Sequence, residues 1–253
     1  MPTIVHHLLP IAPTPALGDK VWRRVLAVGR GSKSSLAHGV WRRLCATLLV
    51  LLLQAPQAWD AERMTRAAQR LGPRAVSGAA LLQATLQQQT GRDDDSKLAA
   101  INQFFNRRIT FGDDLAVWGI ADYWASPIEL LDKGAGDCED YAIAKYFSLL
   151  ALGVPVAKLR LVYVRSQPAG PGVPATAHMV LAYYAAPGTE PLVLDNLITE
   201  IRPASRRPDL EPVFSFNSEG LWQGTGQISA GEPTQRLSRW REVIGKAREE
   251  GFL

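Results

Sequence analysis

The sequence predicts an α+β domain: a helical first half, one strongly apolar helix at its centre, and an antiparallel sheet behind it. Three observations carry this reading. From Asp60 to about Arg107, apolar residues recur at helical spacing between caps and breakers. From Lys158 onward, short β-rich runs alternate with Pro/Gly turns. Between them, Tyr141 to Leu152 is apolar on nearly every side, as a helix in the middle of a domain should be. Helices first and a sheet second put that central helix against the sheet.

The elements follow in order. Ala61 to Leu71 is an Ala/Arg-rich helix stopped by Gly72-Pro73, and Ala75 to Gln89 is a second, amphipathic one. Asp93-Asp94-Asp95-Ser96 supplies a cap, and acids that complement a helix dipole, before Lys97 to Arg108. There Leu98, Ile101, Phe104 and Phe105 share a face and read as core. Ile109 to Trp124 is irregular and aromatic-rich. Ser126-Pro127 then offers a cap and a first-turn proline to a short helix, Ile128 to Leu131. The turn Asp132-Lys133-Gly134-Ala135-Gly136 delivers the chain to Cys138, and the central helix ends at Gly153-Val154-Pro155. Strands are expected at Lys158 to Arg165, Ala177 to Tyr184, Pro191 to Asp195 and Val213 to Phe216. Pro187-Gly188 turns the second into the third, and Leu237 to Phe252 reads as a C-terminal helix.

The formal net charge of +4 resides at the N-terminus. Residues 1–58 hold seven of the 28 Lys/Arg and one of the 24 Asp/Glu, which leaves 21 basic and 23 acidic residues in 59–253. That balance argues against nucleic acid as a partner. Within the leader, Trp41-Arg42-Arg43 precedes the apolar run Leu44 to Leu53, and Gln54-Ala55-Pro56-Gln57-Ala58 follows. A basic flank, a ten-residue apolar core and a small residue resemble a secretory signal, and the core is short for a membrane span. The chain is therefore read as a leader, 1–58, cleaved or kept as an anchor, and an exported domain, 59–253.

Export sharpens the reading of the thiol. Cys45 falls in the leader, so the domain keeps only Cys138; His6, His7 and His38 also fall there, leaving only His178. A lone thiol in an oxidising compartment has no partner for an internal disulfide. Cys138 stands at the mouth of the central helix, where free N–H groups and the helix dipole favour thiolate. His178 opens one strand run and Asp195 closes the next. In the order Cys, His, Asp these read as nucleophile, base and orienter. On neighbouring strands, His178 and Asp195 lie within about 5 Å if they share a face. Trp118, Tyr123 and Trp124 are nearby side-chain donors for an oxyanion.

Asp137, Glu139 and Asp140 crowd the thiol, and their charge opposes thiolate formation. Two readings stand: solvated helix caps, or oxygen ligands of a hard cation such as Ca2+ that neutralises them.

Gly136-Asp137-Cys138-Glu139-Asp140-Tyr141-Ala142, with Ala177-His178-Met179-Val180-Leu181 and Val193-Leu194-Asp195-Asn196, resembles the bacterial transglutaminase-like cysteine proteinases, in particular their LapG-type periplasmic members. The resemblance spans about Trp59 to Trp222. It implies a papain-like/transglutaminase-like fold with Cys138, His178 and Asp195 as the catalytic triad. It also implies calcium dependence, with Asp137, Glu139 and Asp140 as ligands. The implied substrate is a large repeat adhesin, cut near its N-terminus to release it from the surface and disperse biofilm. An inner-membrane cyclic di-GMP receptor is the implied inhibitory partner. The same triad also serves transglutaminase-type acyl transfer, and a non-catalytic peptide-binding module is the remaining alternative.

Overall fold

The computed structural model describes residues 59–167 and 174–253, so the expected leader lies outside the described residues. The helical half follows the caps. Helix α1 (Ala61–Leu71) starts on Asp60, whose side chain accepts from the Arg63 amide, and α2 (Pro73–Gln89) opens on its proline. Asp93 caps α3 (Asp94–Arg108) through the Ser96 amide. The segment expected to be irregular carries two short elements, β1 (Thr110–Phe111) and α4 (Asp114–Trp118). In α5 (Pro127–Lys133) Ser126 and Glu129 form a complete capping box. Strand β2 (Ala135–Gly136) pairs in parallel with β1 and leads into α6 (Cys138–Ala151), whose first residue is the cysteine itself.

The second half is one antiparallel sheet of seven strands in the order β6-β5-β4-β3-β7-β8-β9. Its spine is β3 (Leu159–Ser166) against β4 (Thr176–Tyr183), paired over all eight residues from Leu159↔Tyr183 to Ser166↔Thr176. Strand β5 (Leu192–Leu194) returns beside β4 through a turn where Gly188 takes φ 78°, which requires its lack of Cβ. β6 (Arg202–Pro203), β7 (Leu210–Phe216), β8 (Leu221–Gln223) and β9 (Ser229–Gly231) complete the sheet. β7 starts three residues before its expected position, because a register shift at Tyr163/Val164 accommodates Pro212 inside the ladder.

Helix α6 packs on this sheet, as the element order predicts: Ala142, Tyr146 and Leu149 join Leu161, Met179, Leu181 and Phe216 in one buried core. A short helix, α7 (Pro233–Arg236), leads into α8 (Ser238–Glu249). Trp240 of α8 is fully buried, stacked on Phe147 at 5.5 Å and edge-on to Phe216 at 5.2 Å, and its indole donates to the Asn217 carbonyl. Beyond α8, Glu250 reaches the N-terminus of α5, accepting from the Ser126 hydroxyl and from the Ile128 amide at 3.2 Å. The Asp60 amide donates to the Gly251 carbonyl at 2.8 Å, so the two ends of the described domain are joined.

Candidate active site

Cys138 and His178 line one cleft of about 690 Å³. Tyr163, Phe214 and Trp124 give it an aromatic side, and Arg236 and Arg239 from the C-terminal helices close another. Cys138 is half-buried at the first turn of α6, where N–H groups lack helical partners. Gly136 precedes it for steric reasons: a Cβ there would meet Asp140 Oδ2 at 2.5 Å and Leu130 Cδ1 at 2.6 Å.

His178 is buried near the start of β4, and its Nε2 lies 2.8 Å from Asp195 Oδ1. Asp195 stands one residue past β5. With Leu181 opposite Leu194, it is a diagonal rather than a direct cross-strand neighbour of His178. Its main chain is fixed from two helices: Asn106 of α3 and Lys145 of α6 donate to its carbonyl at 2.7 and 3.1 Å. Leu197 N–H bonds Oδ1 at 3.1 Å and Arg207 Nη2 bonds Oδ2 at 2.7 Å. Burial opposes ionisation of Asp195, but His178, the Leu197 amide and Arg207 outweigh it and hold the carboxyl at about 2. Burial dominates at Lys145 and lowers its amine to about 7 against the pull of Asp195.

The acids expected around the thiol are joined by two that sequence reasoning missed, Asp114 of α4 and Asp122. Oxygens of Asp114, Asp137 and Asp140 lie within 4.8 Å of one another, as do those of Asp114, Asp122 and Glu139. Asp140 Oδ1 accepts from the Ala125 amide, yet Asp140 Oδ2, Asp137 Oδ1 and Asp114 Oδ1 are buried without a partner. Burial, reinforced by the neighbouring carboxylates, raises Asp114 to about 6, Asp140 to about 7 and Asp137 further still. Orphaned carboxylate oxygens in such a cluster are a fitting donor set for a hard divalent cation. Burial and the Glu139 charge also push the Cys138 thiol well up, and its Sγ donates to Glu139 Oε2 at 3.0 Å; the Met179 amide works in the opposite direction.

Of the three indole and phenol donors, Trp124 lines the cleft, with its N–H on Asp122 at 3.2 Å. The Tyr123 hydroxyl is bound to Glu129 and Lys246, and the Trp118 N–H is buried without a partner. Asp122 adopts φ 58° and is held by Arg239 at 3.1 Å.

Comparison with known proteins places this arrangement. Residues 78–208 match the family model of the bacterial transglutaminase-like cysteine proteinases. No curated protein matches the chain. Among solved structures, EGTA-treated LapG of Legionella pneumophila is 36% identical at a TM-score of 0.65, over 74% of this chain and 97% of that one. Calcium-bound LapG of the same organism is also 36% identical, at 0.64 over 74% and 98%. Family model, identity and α+β architecture agree: the chain belongs to the bacterial transglutaminase-like cysteine proteinases.

Proposed function

We propose that this cysteine proteinase is a calcium-dependent endopeptidase in which Cys138 attacks, His178 moves the proton and Asp195 orients the ring. The observation that carries this is the cleft itself, which exposes the cysteine at a helix N-terminus beside a histidine bonded through Nε2 to a buried carboxylate. With Nε2 committed to Asp195, Nδ1 is the ring nitrogen left to take the thiol proton. Sγ then adds to the scissile carbonyl carbon, and the Cys138 backbone N–H, at the first turn of α6, would donate to the oxyanion. Collapse expels the amine, which takes the proton back from the imidazolium, and water hydrolyses the thioester. Bound calcium, held by Asp137, Glu139 and Asp140 with Asp114 and Asp122 beside them, supplies positive charge to offset the acids around the thiol.

Calcium is supported by the orphaned oxygens and by the calcium-bound Legionella relative. Substrate and compartment rest on the motif resemblance and on the leader. The reading is a periplasmic enzyme that cuts the N-terminal region of a large repeat adhesin, releases it and disperses biofilm, held in check by an inner-membrane cyclic di-GMP receptor. The test incubates the protein with the N-terminal fragment of its host's repeat adhesin and reads intact mass. One cut is expected with calcium, absent in EGTA and in Cys138→Ala. An uncut fragment, with amine incorporated into protein glutamine instead, would assign the triad to acyl transfer.

A further inference from the structure

Arg207 has no part in the sequence motifs, yet it is among the most enclosed charges of the described residues, 3% exposed. It follows the turn Ala204–Arg206, and its amide bonds back to Ala204. Nη2 donates to Asp195 Oδ2 and to Asp209 Oδ2, each at 2.7 Å, and Nε donates to Asp209 Oδ1 at 3.0 Å. We propose that Arg207 is a positioning residue of the reaction: it locks the plane of the Asp195 carboxylate and thereby the orientation of His178. The inference rests on the triad reading above.

The argument is one of remaining freedom. Asn106 and Lys145 already fix the Asp195 main chain from two helices. What remains is rotation of the carboxylate, a broad torsion when nothing holds it. Oδ1 has two claimants, His178 Nε2 and the Leu197 amide, whereas Oδ2 has Arg207. Removing Arg207 leaves a fully buried oxygen without a donor, and the carboxylate then turns or takes up a proton. Either change weakens the hold on Nε2–H, and misplacement of about 1 Å costs about a hundredfold in rate.

Asp209 completes the device. Arg207 alone would neutralise Asp195 and blunt its attraction for an imidazolium. With Asp209 engaged, the three groups sum to one negative charge, which stays available to His178. Asp209 is partly exposed, so the excess charge is solvated from the outside rather than stranded in the core.

The test uses the full chain with calcium and compares Arg207→Met, Arg207→Lys and His178→Gln. One readout is the rate at which iodoacetamide alkylates Cys138, resolved by peptide mass and normalised to glutathione alkylated in the same reaction. The other is the 15N spectrum of the His178 ring, assigned by the signals lost in His178→Gln. Arg207→Met is expected to slow alkylation of Cys138 about a hundredfold and to convert a single Nε2–H tautomer into an averaged mixture. Arg207→Lys keeps the charge but must serve both carboxylates from one ammonium, so it should be about tenfold slower than the native protein. A native rate or a native tautomer in Arg207→Met overturns the proposal. If that variant does not fold, Arg207→Lys decides on the same two readouts, native values again overturning it. The underlying reading fails separately: His178→Gln at the native alkylation rate would remove the triad itself, whereas a slow His178→Gln beside a native Arg207→Met removes only Arg207.

Discussion

Asp195 receives donors on all three of its oxygens, two of them on one carboxylate oxygen, and this makes it the most constrained residue of the site. An asparagine there cannot satisfy all of them, because whichever way its amide turns, an NH2 group faces a donor. Asp195→Asn should cost about 1–3 kcal/mol, since it turns a buried NH2 group towards a buried donor while Arg207 keeps its pair with Asp209; urea unfolding measures it. The carboxyl is held below its ordinary 3.8 at about 2, so its contribution is present above pH 4 and lost as pH falls towards 2. That contribution is about 2 kcal/mol, and acid unfolding of Asp195→Asn should lack this component. A variant as stable as the native protein across that range would refute the account. Cys138, His178 and Asp195 were legible in sequence because their types, order and neighbours carry the motif. Arg207 was not: Arg202, Arg206 and Arg207 look alike in a polar segment, and only folding buries one of them. Asp114 was hidden in the same way, as one of two consecutive acids of which the first caps α4 and the second turns inward.

Helix α5 shows an element closed by a residue far along the chain. Its capping box was half-visible in Ser126-Pro127, but Glu250 arrives from beyond α8 to share the Ser126 hydroxyl and the Ile128 amide. Burial outweighs these bonds and raises Glu250 to about 8. A raised folded value means that its contribution is complete below the ordinary 4.5 and is lost as pH rises through 8. Between pH 5 and pH 8 the native protein should therefore lose roughly 3–4 kcal/mol relative to Glu250→Gln, read from melts of both proteins. Parallel curves would show that the carboxyl is not protonated in the fold. Helix boundaries were the readable part of this chain because caps and breakers are local. β6, β8 and β9 are two or three residues long, too short for alternation to register, and β1 and β2 exist only through each other.

At the scale of the molecule, the α+β order and the docking of α6 on the sheet were both expected from sequence, since one apolar helix among amphipathic ones has nowhere else to go. The way the aromatic loop folds its acids against Cys138 was not, because that depends on the approach of α4 and Asp122 from outside the motif. Under the proposed calcium reading, those acids make stability and cation binding one quantity. Asp114, at about 6, and Asp140, at about 7, are raised by burial, so their contribution is complete near pH 4 and is lost as pH rises through those values. In EGTA the melting temperature should fall from pH 5 to pH 8, and calcium should raise it and flatten the fall. Identical pH curves with and without calcium would remove the cation from the cluster. The Asp60–Gly251 bond has a mechanical corollary. The α8 helix runs from the cleft wall at Ser238 and Arg239 to the point where the polypeptide enters its domain, over 12 residues or about 18 Å. The bond ties the start of α1 to the chain just past α8, so the helix that borders the cleft at Ser238 and Arg239 is held at its far end by the first described residues of the domain.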